Sequence, residues 1–441
     1  AVVTAMDVNL DLEVQKRMVA AGRENVNLAR SVLRPQVDVS GLGVWLDDDL
    51  GSPQQAEKSV SGAVTLSQIL FSEQALANLR IQGHLQRSRE FERDGVRLDV
   101  AREAAVAYLN VLRGKTFEQI RKNNLLVSRS NLELARVRQA IGFSGPGEVY
   151  RWESQIANDR KSVISANSQR NLAEMALNRI LHRPLETPFQ TVEIGLNDPQ
   201  LLTGHKRFDP YVNNKWSFSV FRNFVVKDGL ERAPELKQLS AAIAAQKRAL
   251  QSARRAFFAP TIAVQGELKR LFSRRGQGAT GPSFGGDVTW NVGINASLPV
   301  FSGGSRFAQV RKAQDDWYRL RLQREAVAER IEQGIRSAIH TMGVSFATIR
   351  LSAQAADAAR QNLELTTDAY SRGVVSVLGL LDAQNASLVS EQAAANAVYD
   401  FLLDLMEVER ATGGFVLLLD QTEIDAFFKR LSAYFAQVST P

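Results

Sequence analysis

The sequence predicts a mixed α and β chain. Four strands per chain would join a twelve-stranded transmembrane β-barrel in a homotrimer, continuous with a hollow barrel of twelve long helices. Three observations predict it. Asn131-Leu132-Glu133-Leu134 returns as Asn362-Leu363-Glu364-Leu365, and a glycine follows each at the same distance, Gly142 and Gly373. Two runs of about 67 residues, Glu73–Gln139 and Ser305–Ser371, contain no proline. Between these runs, "DVTWNVGINASLPVF" alternates: Trp290, Val292, Ile294, Ala296 and Leu298 point one way, Thr289, Asn291, Gly293, Asn295 and Ser297 the other. That period of two belongs to a strand with one apolar and one polar face.

The repeated phrase extends. "LFS" at Leu70–Ser72 is echoed by "VFS" at Val300–Ser302, and "RPQVDVSG" at Arg34–Gly41 by "APTIAVQG" at Ala259–Gly266. The matches keep one order at an offset of about 230 residues, too long for a solenoid unit, which predicts a tandem duplication. The expected divisions are a first repeat over 1–182, a linker over 183–232, a second repeat over 233–412, and a C-terminal segment over 413–441.

Each half has the same internal order. A helix comes first, Leu10–Leu33 and Ala233–Phe258; the second places Leu236, Leu239, Ile243, Ala244 and Leu250 at helical spacing. Each helix stops before a proline, Pro35 or Pro260, which cannot continue it. Two strands follow. Val60, Gly62, Val64 and Leu66 alternate in the first half, as do Ile262, Val264 and Leu268 in the second, while "QVDVSGLGVWL" alternates through Val37 and Val39 and then loses the pattern. Asp47–Pro53 and Ser273–Gly286 read as loops. The long proline-free run, roughly 100 Å if wholly helical, descends next; Gly83, Gly95 and Gly114 are candidate bends in the first one. Runs of that length call for coiled packing against neighbours, helped by small residues such as Ala353, Ala356 and Ala359. After the turn glycine a helix returns, Glu148–Leu181 or Leu378–Arg410. Pro184–Gly229, with "YVNNKWSFSVFRNF", reads as an irregular belt or packing segment, and "IDAFFKRLSAYF" as a short amphipathic run.

Composition narrows the function classes. The net charge is +7, but the cations are scattered beside acids and form no basic arm, so nucleic acid is not an expected partner. With no cysteine there is no disulfide and no thiolate chemistry. No apolar run reaches the roughly 18 residues of a spanning helix, so a membrane role is confined to a β-barrel. Residue 1 enters a helical pattern almost at once, and the expectation is that a leader has been removed. His84, His182, His205 and His340 lie in no ligand spacing, "GFSGPGE" lacks the lysine of a phosphate loop, and no nucleophile elbow occurs. No enzyme activity, cofactor or metal is expected.

Four strands cannot close a barrel, and a hairpin with an apolar outer face cannot stand alone in water. Three chains would supply twelve strands around an aqueous lumen. At this point the chain resembles the TolC-type outer-membrane factors. "LPVFSGGSR" (Leu298–Arg306) and "AYSRGVVSVLGLLDAQ" (Ala369–Gln384) carry the resemblance most specifically, with "APELK" (Ala233–Lys237) and "AREAAVAYLNVL" (Ala101–Leu112) beside them. The resemblance implies a homotrimeric channel in the outer membrane of a Gram-negative bacterium that extends into the periplasm. Such a duct transports passively, as the exit of a tripartite efflux pump or type I secretion system. Its partners would be a periplasmic adaptor (membrane fusion protein), an inner-membrane pump of ABC or RND type, and outer-membrane lipid, met by Trp290, Val292, Ile294 and Leu298.

The resemblance also implies a gate at the hairpin tips, marked by Gly142, Gly145, Gly373 and Ser376. The family's tyrosine three residues before the second glycine is Tyr370, and its acidic partner six residues past the first is Glu148. The arginine expected two past the second glycine is replaced by Val375; Arg372 lies nearby but displaced. Of two acidic rings, one position is Gly379 and the other keeps Asp382. Without the resemblance, Tyr370 packs at a hairpin tip, Asp382 is a solvated carboxylate, and Glu148 gains from a helix N-terminus alone. The competing class is a soluble coiled-coil scaffold or adaptor of the cell envelope, which leaves the apolar face of Trp290–Leu298 in water.

Overall fold

The computed structural model describes residues 1–50, 56–196, 198, 201, 207, 209–212, 214–279 and 286–439. The elements run α1 (Val2–Val8), α2 (Leu10–Ser31), β1 (Gln36–Trp45), β2 (Lys58–Phe71), α3 (Glu73–Ala140), α4 (Pro146–Ile180), α5 (Asp209–Val212), α6 (Lys215–Arg232), α7 (Pro234–Arg255), β3 (Thr261–Arg275), β4 (Val288–Ser297), α8 (Ser305–Ser371), α9 (Val377–Ala411) and α10 (Gln421–Ser439). The series helix, strand, strand, long helix, returning helix occurs twice. Parts of the expected loops at Asp47–Pro53 and Ser273–Gly286, and of the bridge, lie outside the described residues, as does His205.

The chain forms two compact units, each drawing on both halves of the sequence. One comprises Lys16–Glu92 and Leu236–Ala326. It holds a four-stranded antiparallel sheet in the order β1-β2-β3-β4. Register sorts the side chains by chemistry. Val39, Val64, Leu268 and Trp290 form one row across all four strands, and Val37, Leu66, Gly266 and Val292 the next. On the opposite face Asp38, Thr65, Glu267 and Asn291 form a polar row, closed by a 3.3 Å hydrogen bond from Asn291 Nδ2 to Glu267 Oε2. The apolar row is open: Val39 is 80% exposed and Trp290 75%. A water-facing sheet would invert this arrangement.

Two details differ from the sequence expectation. β1 stays paired to its end, Gly41 with Gly62 and Trp45 with Lys58, although its alternation fades. The ladder bonds backbone to backbone and needs no side chain. Leu298, expected on the strand, falls just past Ser297 where β4 stops.

The second unit comprises Ala1–Gln15, Arg93–Glu235 and Val327–Pro441. Its larger core packs Leu109, Val111, Phe221, Phe224, Phe401 and Leu405. The bridge is not irregular throughout: it carries α6, which buries Phe221, Phe224 and Val225 at helical spacing. Asn214 caps that helix, accepting from Ser217 N at 2.8 Å. The C-terminal run is the longer helix α10, whose Phe427 meets Phe224 edge-on at 5.7 Å. Gly114 serves close approach: a Cβ there would lie 3.1 Å from Arg170 Cα of α4, so α3 and α4 touch backbone to backbone. α8 buries only Ile335, Ile339, Met342 and Tyr370 of its 67 residues.

Candidate functional site: the helical tips

Both hairpin tips turn by the same hydrogen bonds. At the first, Gly142 N donates to Gln139 O and Phe143 N to Arg138 O; at the second, Gly373 N donates to Tyr370 O and Val374 N to Ala369 O. This pair of bonds satisfies the last carbonyls of a helix and needs a left-handed residue at its centre. Gly142 (φ +74°) and Gly373 (φ +81°) supply it. Each returning helix is then started locally. Gly145 precedes α4, whose first residue is Pro146. Ser376 Oγ accepts from Gly379 N at 3.4 Å to cap α9.

A polar seam between α3 and α9 leads down to these tips. Its rungs are Arg102 to Glu407 (2.6 Å), Arg113 to Asp400 (3.2 Å), Thr116 with Tyr399 (2.8 Å) and Arg121 to Gln392 (3.1 Å). Below them lies a buried layer. Gln384 Nε2 donates to Ser128 Oγ (2.6 Å), Asn131 Nδ2 donates to Gln384 Oε1 (3.2 Å), and Ser128 Oγ donates to Asp159 Oδ2 of α4 (2.5 Å). Buried polar groups of this kind are costly unless paired, and here they pair with each other.

The last rung joins the two tips. Tyr370 is fully buried, in a small cluster with Leu132, Ala135, Val149, Trp152 and Leu380. Its hydroxyl donates to Glu148 Oε2 at 2.6 Å. Arg138, also buried, donates through Nη1 to the Tyr370 carbonyl, and its guanidinium lies 4.4 Å from the centre of the Tyr370 ring. Arg138 Nε is 3.7 Å from Glu148 Oε2. Burial, and then the Glu148 carboxylate, push the Tyr370 hydroxyl up to about 12, so it remains a donor at any physiological pH. Three side chains from three helices thus share one knot, with Tyr370 and Arg138 buried and Glu148 half-buried.

The sequence brought Tyr370 and Glu148 forward; Arg138 it left unremarked. A signal was present. Leu125, Ser128, Leu132 and Ala135 form the buried stripe of α3, and Arg138 is its next member at helical spacing. Arg372, the first residue past α8, lies outside the knot and pairs with Asp368 in the last turn of that helix. Val375 sits against Gly379, where a Cβ would come within 2.7 Å of Val375 Cγ1. Asp382 is exposed. Trp290, Val292 and Ile294 share the apolar face of β4, away from the tips in sequence and in the other compact unit. Among the described residues no cluster of three metal-ligating side chains occurs, and no helix is long and apolar enough to cross a membrane.

The outer membrane efflux protein family pattern matches residues 2–182 and 225–414. The chain is 22% identical to the outer membrane efflux protein BepC of Brucella suis over 94% of its own length and 84% of that protein's. It is 22% identical to the outer membrane protein TolC of Vibrio cholerae over 89% of this chain and 85% of that one. A solved structure of CusC superimposes with a TM-score of 0.78 at 18% identity, covering 94% of this chain and 91% of that chain, which shows a shared fold. The chain therefore belongs to the outer membrane efflux protein family, and its place is the outer membrane of a Gram-negative bacterium, reaching into the periplasm.

Proposed function

We propose that three copies of this chain form a passive exit duct for a tripartite efflux pump or type I secretion system, gated at the helical tips. The observation that carries the reading is the sheet. Its apolar face is exposed, and among the described residues β1 pairs only with β2 and β4 only with β3. Two free edges and an uncovered apolar face are costly in water. Both are resolved when β1 of one copy pairs with β4 of the next and twelve strands close in lipid. The sparse burial along α8 supports the same assembly, since a 67-residue helix that buries four side chains has most of its surface still to cover.

In this reading residues 1–182 and 233–412 are two copies of one ancestral unit, with 183–232 and 413–441 as equatorial segments. The helix ends support it. α4 ends with His182 N donating to Arg179 O and Arg183 N to Asn178 O; α9 ends with Gly413 N donating to Arg410 O and Gly414 N to Glu409 O, at the same offset that relates the two tips. A periplasmic adaptor and an inner-membrane pump (ABC or RND type) complete the machine. The Tyr370–Glu148–Arg138 knot holds the mouth shut, with Asp382 forming one ring of carboxylates there.

Electron microscopy of the detergent-purified protein tests the assembly. A three-fold particle with a short barrel and a hollow tail is expected; a water-soluble rod without a barrel would restore the scaffold reading, which the family match does not favour.

A further inference from the structure

The sheet-bearing unit contains a cleft of about 420 Å³ where the strands give way to helices, far above the roughly 10–15 Å³ that one water needs. Its walls come from the end of β2, the first turns of α3, the end of α7 and the residues leading into β3. Glu73 and Arg80 stand seven residues apart on α3, and Arg248 and Arg255 seven apart on α7, so each pair shares one helix face. Arg248 Nη1 lies 2.7 Å from Glu73 Oε1, and Arg255 Nη1 lies 3.6 Å from Glu73 Oε2. Glu73 and Arg248 are both buried. One carboxylate thus meets two guanidinium groups while Arg80 lines the same cleft, and Arg80 and Arg255 are exposed at the rim. The remaining lining is apolar, including Phe71 and the 70%-exposed Phe258.

Phe71 tells which way the cleft opens. It pairs with Ile262, which pairs with Ala296, on the face that carries Ile294, Val292 and Trp290. The cleft therefore lies at the foot of the sheet's apolar face. Two uncompensated positive charges beside exposed aromatic rings suit an anion that carries a hydrocarbon chain.

We infer that this cleft binds the phosphate headgroup of an anionic glycerolipid of the outer membrane, with Arg80, Arg248 and Arg255 on the phosphate and Phe71 and Phe258 against the first methylenes of the acyl chains. The inference rests on the reading that the apolar sheet face meets lipid.

The test uses the full chain, purified in detergent and reconstituted into liposomes, with bound lipid counted by native mass spectrometry. Dioleoyl-phosphatidylglycerol should be retained in preference to dioleoyl-phosphatidylcholine, and R80Q/R255Q should weaken that retention by about tenfold or more. Both substitutions lie at the exposed rim, and unchanged melting of the lipid-free protein would show that the fold survives them. Equal retention of the two lipids, or full retention by the double variant, overturns the site. Inorganic phosphate that displaces the lipid's effect at equal concentration overturns the lipid assignment, leaving a simple anion site. Failure to insert into liposomes at all would instead remove the underlying membrane reading.

Discussion

Arg138 and Tyr370 are joined twice: the guanidinium donates to the tyrosine carbonyl and also lies over its ring, 4.4 Å from the centre. The same carbonyl accepts from Gly373 N at 3.0 Å as part of the tip turn. The first hairpin therefore grips the backbone of the second at the bond that shapes its turn.

Breaking the knot from the tyrosine side should open the mouth. Y370F with E148A removes the 2.6 Å hydrogen bond and the acceptor while leaving the apolar cluster filled. Single-channel conductance in planar bilayers is expected to rise; unchanged conductance would mean the bond does not hold the gate.

Arg138 should matter more than Arg372. R138M removes a buried, charge-assisted hydrogen bond and a desolvated cation–π contact, each about 1–3 kcal/mol. Its conductance is expected to exceed that of Y370F alone. R372A removes only a surface pair with Asp368 four residues earlier, and exposed pairs are worth roughly 0–1 kcal/mol. The closed conductance of R372A should match that of the native protein, and a large increase would return Arg372 to the gate.

Asp382 is exposed on α9, five residues after the first residue of that helix, and in the proposed duct it supplies the carboxylate at the mouth. D382N should abolish the block by divalent cations while leaving the conductance in monovalent salt nearly unchanged. Persistent block would place the cation elsewhere in the channel.

Glu409 carries a pH prediction. It is buried at the end of α9, and burial pushes its carboxyl up to about 8, only partly offset by the Val416 backbone N–H. The native state holds this proton between about pH 4.5 and 8 while the unfolded chain has released it. Stability then falls as pH rises through that window, on the order of 1 kcal/mol per pH unit for a single group. E409Q should flatten the thermal stability profile between pH 5 and 8 and raise it at pH 8. A variant profile parallel to the native one would show that Glu409 is already ionised.

Much of this was legible in sequence, for identifiable reasons. The long helices announced themselves by proline-free length, and β4 by strict alternation with polar residues at every second place. β1 faded because Gly41 and Gly43 carry no side chain to report a face, although their backbones stay paired. α6 was hidden by Asn213, Asn214 and Trp216, residues that suggest irregular chain, while the helical signal lay in Phe221, Phe224 and Val225 just beyond. At the tip, Tyr370 and Glu148 stood at recognisable distances from their glycines. Arg138 did not stand out, because a buried arginine on an apolar stripe has meaning only once its partners from two other helices are in place.

The α3–α9 seam has one more consequence. Its polar rungs, from Arg102–Glu407 down to Asn131–Gln384, are separate hydrogen bonds and ion pairs that run beside the apolar clusters of the same helices. The exposed rungs among them can exchange their partners for water without leaving a void. In the proposed gate such a seam would part progressively from the tip, and the aperture would be a graded length. Conductance sublevels in a tip-weakened variant, longer-lived in high salt where the ionic rungs are screened, would be its electrical signature.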